Sequence, residues 1–337
     1  MKITNIQSLT NEQLLKVKIK NLDLKLKGSL IERRINKLYN ELEAKGIKFR
    51  PHIWISDEWF TPDDIPGFAV PFYLTHPRLK SFEKDQMFEA EGAEITECMQ
   101  IMRHETGHAI SHAYRLYHRK NWNAFFGNYL KPYPLNYVPQ IESKNFVSHM
   151  NAWYAQAHPL EDFAETFAVW LDPKSNWKQK YKKWPVLEKL YYLDQLMEKI
   201  KNVDPPPIVS DEYLPVSKIH FTLEHYYRRK KKFYSVNLAE LYDSELIKIF
   251  SLRRKKGYEK ASDYLKKIRR VMRKNISDVL DVPQYTVDQL LLEMIKRCNQ
   301  KNLFHVKNNP DTERKLLIIL VSKITNLIYK GFHKIPL

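Results

Sequence analysis

The chain has 337 residues, 43% apolar and 13% aromatic, and a formal net charge of +17. This is enough apolar material for a substantial core, its length suggests about two domains, and the composition is not that of a disordered chain. Two cysteines are too few for a disulfide framework and fit a reducing cytoplasm. No run approaches the ~18 apolar residues of a membrane span. The residues after Met1-Lys2 stay polar and carry no secretory pattern, so the expectation is a cytoplasmic protein with no membrane partner.

In chain order, Ser29 and Glu32 form a capping box ahead of Leu30, Ile31, Ile35, Leu38 and Leu42, and Lys45-Gly46 closes the segment, which predicts a helix. Phe49 to Ile55 and Phe68 to Leu74 read as strands on either side of Pro62, Pro66 and Gly67. They predict a small antiparallel sheet. The segment 69–73 is a candidate edge for an extended substrate, because Pro71 gives up a ladder donor.

The next helical stretch carries His104-Glu105-Thr106-Gly107-His108, an H-E-x-x-H motif. Four-residue spacing sets both imidazoles on one helical face, where one tetrahedral Zn²⁺ can take both. Glu105 projects beside them, where a water on the metal would sit. A pattern this short also fits a surface helix with exposed polar groups. Cys98, six residues earlier, reads as a small buried residue. His112 continues the stripe but lies about 12 Å along the axis from residue 104, too far for one ion to reach both. Ser111 and Tyr114 replace the glycine and third histidine of the longer H-E-x-x-H-x-x-G-x-x-H pattern.

Residues 129–140 are rich in proline and tyrosine and fit neither helical nor strand periodicity. A segment of this kind between two halves of a site is suited to lining or covering a cleft. Beyond it, a second helical stretch carries Glu161 and Glu165 on one face, with Phe163, Phe167, Trp170 and Leu171 to bury. A catalytic zinc needs a third protein ligand and an open fourth position. Glu161 is the candidate ligand, and Glu165 is placed to accept from the outer N–H of a ligating imidazole. Asp162 competes with Glu161, rotated about 100° around the helix.

After residue 200 comes a proline-rich stretch, 203–209, and then a basic region that carries +13 of the net +17. Arg228 to Lys232, Arg253 to Lys256 and Lys266 to Arg270 are dense enough to attract polyanions, but no groove-reading motif or aromatic platform accompanies them, which favours a solvated face. Thr286 and Asn309-Pro310 read as helix starts, the second opening the run Leu316 to Val321.

The stretch from His104 to Pro173, above all residues 158–171, resembles a bacterial family of zinc-binding metallopeptidases, and the resemblance extends over roughly residues 30–250. More distantly, Glu161 to Phe167 after H-E-x-x-H is similar to the gluzincin catalytic domain of anthrax lethal factor. The resemblance implies Zn²⁺ held by His104, His108 and Glu161, with Glu165 supporting a ligand and Tyr154 stabilising an oxyanion. Glu105 is the general base of such a site; His149 and His158 are further candidate donors.

The expected fold is α+β and predominantly helical. Residues 1–202 form a zincin-like catalytic domain with the small antiparallel sheet beside the H-E-x-x-H helix, and residues 203–337 a basic helical C-terminal subdomain. The expected function is zinc-dependent hydrolysis of a peptide or protein substrate. The alternative is a basic scaffold with a structural zinc site and polyanion contacts. Structural zinc is usually closed by four Cys or His ligands, whereas this set leaves a position open, which favours the enzyme.

Overall fold

The computed structural model describes residues 2–205, 207, 212–235, 243–307, 309–327 and 333–334. Residues 206, 208 and 209 of the proline-rich stretch lie outside the described residues. The chain divides into two compact units, one of Met1–Gln86, Ala90–His225 and His333–Leu337, the other of Met87–Glu89 and Tyr226–Phe332. Residues 212–225 thus group with the first unit. The secondary structure is mostly helical with short strand pairs, an α+β composition. Among the described residues no helix is long and apolar enough to cross a membrane.

In the first unit, helix α1 (Leu30–Ala44) begins where Ser29 Oγ accepts from the Glu32 amide at 3.4 Å. The Glu32 carboxylate turns to the Gly28 amide at 2.7 Å, so the reciprocal half of the expected capping box is shifted by one residue. Ile31, Ile35, Leu38 and Leu42 are its buried apolar stripe.

Strands β1 (His52–Ser56) and β2 (Gly67–Pro71) pair in parallel, in register from His52 opposite Gly67 to Ser56 opposite Pro71. The antiparallel sheet expected from the sequence is therefore corrected. The prolines do mark a reversal, but it joins β2 to a single bridging residue, Phe60, rather than to β1. Phe60 pairs antiparallel with Ala69, whose amide donates to the Phe60 carbonyl at 2.8 Å. Ala69 is thus flanked by Trp54 on one side and Phe60 on the other, and every residue of β2 is buried. The exposed substrate edge expected at 69–73 is absent for the same reason. Gly67 is required by the tight approach to β1, since a Cβ there would stand 2.2 Å from the His52 carbonyl oxygen.

Helices α2 (Ile95–Tyr114) and α3 (Pro159–Leu171) form the centre of this unit. Residues 161–171 are buried on every side, as are 101–111. Helix α1 is tied to α2 by a buried bidentate ion pair, in which Arg103 Nε and Nη2 donate to Glu41 at 2.8 and 2.9 Å. Helix α4 (Val186–Ile200) packs on α3, where Asp194 accepts from the Trp170 indole at 2.7 Å.

The second unit is built on α5 (Ala261–Leu280), α6 (Gln284–Gln300) and α7 (Pro310–Leu327), with an antiparallel pair of β3 (Tyr258–Lys260) and β4 (Phe304–Val306). Leu265, Met272, Ile276, Leu291, Met294 and Leu320 belong to its core. Helix α6 starts before Thr286, with Pro283 at its N-cap, and the Thr286 hydroxyl donates instead to the Tyr234 carbonyl. Pro310 takes the first position of α7, and Asn309 Oδ1 accepts from the Asp311 amide at 3.0 Å. Part of the basic tract is used internally: Arg269 Nε and Arg273 Nη1 bind buried Asp288 at 2.8 and 2.9 Å.

Candidate metal centre

His104 and His108 lie one turn apart on α2, with ring centroids separated by 4.8 Å. Glu161 lies in the first turn of α3, where the positive end of the helix favours a carboxylate. The two helices bring His104 Nε2, His108 Nε2 and Glu161 Oε2 into a near-equilateral triangle. The three separations are 3.1 Å between the imidazoles, 3.1 Å from His104 to Glu161 and 3.2 Å from His108 to Glu161.

This triangle fits a metal. Ligands of a tetrahedral Zn²⁺ at ~2.0–2.1 Å stand about 3.3–3.4 Å apart, a few tenths of an ångström more than observed. The tautomer agrees as well. His104 Nδ1 faces Glu165 Oε1 at 2.8 Å, so its proton is there and its Nε2 lone pair points into the triangle. Three lone-pair atoms buried this closely repel one another unless a cation lies among them. Burial works against a charged His104, but hydrogen bonds to Glu161 and Glu165 hold its pKa well above the ordinary value. Burial likewise opposes the Glu161 carboxylate, and the neighbouring His108 and His104 overcome it, depressing its pKa strongly. Among the described residues His104, His108 and Glu161 are the group placed to hold a metal ion.

Glu165 is 1% exposed, and its second oxygen accepts from the Met150 amide at 2.8 Å, so both carboxylate oxygens are fixed. Met150 leads into a tight segment, Asn151–Gln156, in which Ala152 and Trp153 adopt φ of +59° and +53°. Consecutive non-glycine residues in this region are strained, at roughly 1–3 kcal/mol each. The strain is held by the Met150 amide and by the Tyr137 hydroxyl, which donates to the Ala152 carbonyl at 2.8 Å. The segment places the Tyr154 ring 5.6 Å from that of His104. Burial, then the charge of Glu161, raises the Tyr154 pKa well above its usual value, so the hydroxyl keeps its proton.

Glu105 is 8% exposed. Its Oε2 accepts from the Thr61 hydroxyl at 2.8 Å, and Thr61 follows directly on the Phe60 bridge.

The other candidates are engaged elsewhere. Asp162 faces away from the triangle and meets Lys189 Nζ at 2.5 Å; burial outweighs that contact and pushes its pKa up to about 7. His112 Nδ1 accepts from the Asp64 amide at 3.2 Å. His149 Nε2 donates to the Gln100 carbonyl at 3.1 Å. His158 caps α3 by accepting from the Leu160 amide at Nδ1, which leaves its Nε2 proton for the Lys131 carbonyl at 2.8 Å. Neither His149 nor His158 is free to serve the open side of the triangle.

Two residues of the site were not picked out individually from the sequence. Thr61 lies in an irregular connection with no motif to mark it. Tyr133 donates to Glu161 Oε1 at 3.0 Å and stacks on His158 with ring centroids 3.9 Å apart. The proline- and tyrosine-rich composition of 129–140 was the signal for a segment over the site, though not for which tyrosine.

Two helices that present two imidazoles and one carboxylate, with the outer nitrogen of His104 held by a second carboxylate, bring together a group that could hold a metal ion. Residues 92–182, which include both helices, match the family described as "Putative zinc-binding metallo-peptidase", inside the wider stretch over which the resemblance was expected. No curated protein and no solved structure matches the chain.

Proposed function

We propose that the chain is a zinc-dependent peptidase, with His104, His108 and Glu161 as metal ligands and Glu105 as general base. The observation that carries this reading is the triangle of 3.1–3.2 Å edges, made by three protein groups with the Glu105 carboxylate on the same helix. A bound Zn²⁺ supplies a Lewis acid that polarises a carbonyl and acidifies water at neutral pH. Glu105 takes the proton of the attacking water and later passes it to the leaving amine. Thr61 holds the Glu105 carboxylate in one orientation through Oε2. The Tyr154 hydroxyl has no hydrogen-bond partner among the described residues and is available to donate to the developing oxyanion. Such a donor is worth about 3–4 kcal/mol, or two to three orders of magnitude in rate. Glu165 keeps His104 in the tautomer that binds metal. Both cysteines are buried and unpaired, which supports action in a reducing compartment such as the cytoplasm.

The test is a peptide-library digest with protein loaded with one equivalent of Zn²⁺. Cleavage that is abolished by a chelator and restored by Zn²⁺ is expected. Stoichiometric zinc binding with no cleavage of any peptide would refute the reading.

A further inference from the structure

Glu161 has two carboxylate oxygens with different partners. Oε2 faces both imidazoles at 3.1 and 3.2 Å, whereas Oε1 accepts the Tyr133 hydroxyl at 3.0 Å. A free glutamate beside a divalent ion can bind through one oxygen or both. Binding through both would use up the position that a water or substrate needs. We infer that Tyr133 is a positioning residue that holds Glu161 to one-oxygen ligation and so keeps the metal site open; this rests on the zinc reading above.

Three observations support the assignment. The first is chemical: a tyrosine hydroxyl is a donor that cannot compete with Glu161 as a strong ligand while it keeps its proton. The second is that the ring is fixed independently of the carboxylate. It lies almost parallel to the His158 imidazole, at 21° and 3.9 Å. The third is that His158 is itself fixed at both nitrogens, by the Leu160 amide and the Lys131 carbonyl, and Lys131 is only two residues from Tyr133. The segment that carries the donor is thus tied to the same helix end that carries the ligand. Tyr133 and Glu161 cannot drift apart without breaking a stack or a cap.

The experiment uses Co²⁺ in place of Zn²⁺, because Co²⁺ absorption reports coordination number and geometry. Full-length wild type and Tyr133→Phe are titrated with CoCl₂, and zinc binding of the wild type is measured separately by competition with a chelator. Tyr133 is 46% exposed, so the phenylalanine variant is expected to fold. Wild type is expected to show the intense visible bands of a four-coordinate site. Tyr133→Phe is expected to lose intensity as Glu161 closes onto the metal through both oxygens. Tyr133→Leu, which removes the stacking ring as well as the hydroxyl, should lose intensity like Tyr133→Phe. Identical four-coordinate spectra in all three proteins would overturn the role of Tyr133 and leave the zinc site standing. Failure of the wild type to bind either metal would overturn both.

Discussion

Gly107 and Ala164 set the distance between the two helices that carry the proposed metal ligands. A Cβ on Gly107 would stand 2.8 Å from the Ala164 Cα, closer than real Cβ atoms approach backbone, and a tight 3.1 Å from its carbonyl oxygen. Gly107 lies between His104 and His108 on one helix, and Ala164 three residues beyond Glu161 on the other. The contact is therefore the spacer that lets nitrogen and carboxylate ligands meet. Gly107→Ala should force the helices apart by several tenths of an ångström, in a core that resists it. The expected outcome is a destabilisation of about 1–3 kcal/mol and a loss of Zn²⁺ affinity. Denaturant unfolding and chelator competition measure the two effects.

Glu105 is adjacent to a ligand but points to Thr61 rather than into the triangle. Glu105→Gln should accordingly retain metal while abolishing turnover, since the amide keeps the hydrogen bond but cannot take a proton. Metal content by atomic absorption and cleavage rate, measured on the same preparation, check this. A zinc-loaded variant with full activity would remove Glu105 from the mechanism.

The Arg103–Glu41 pair lies next to His104 and is buried on both sides, each side chain 6% exposed. Asp172 contributes a further contact at 3.3 Å. Truncating one partner of such a pair leaves an uncompensated charge, at about 3–5 kcal/mol. Glu41→Ala should cost less than that by urea unfolding, because Asp172 still faces the guanidinium. Glu41→Ala combined with Arg103→Met should recover most of the loss, because the stranded guanidinium is then gone.

His112 provides a pH dependence with a definite sign. Burial, with the charge of His108 adding and Asp63 and Asp64 opposing, lowers its pKa from 6.5 to about 4. The folded protein thus favours the neutral ring, which accepts the Asp64 amide. This contribution is complete above about pH 6.5 and is lost as pH falls towards 4; the full drop corresponds to on the order of 3 kcal/mol. Metal-free wild type should lose more stability between pH 7 and pH 4 than His112→Asn does. An NMR titration of the imidazole should give a midpoint well below 6.

The residues converging on the triangle were legible because a helix fixes its own geometry. Residues four apart must share a face, so His104 with His108 and Glu161 with Glu165 could be read as pairs. The existence of strands near 52–56 and 67–71 was legible for the same local reason, but their direction was not. Buried apolar strands have one pattern whether parallel or antiparallel, and the prolines that signal a reversal do not say which strand is being reversed. Thr61 and Tyr133 were hidden for a different reason. Each acts through one contact to a residue 44 or 28 positions away, and an irregular segment has no period to reveal which side chain faces inward.

The single Phe60 bridge has a further consequence. In extended chain, consecutive side chains point to opposite sides, so fixing residue 60 against Ala69 also fixes the side from which Thr61 projects. A slip of one residue would turn the threonine hydroxyl away and bring a phenylalanine or a proline to its place, since the neighbours of Thr61 are Phe60 and Pro62. The little sheet is then a ruler for the Glu105 carboxylate, which Thr61 holds. Deleting one residue between Ser56 and Phe60 should misalign Glu105 while leaving His104, His108 and Glu161 in place.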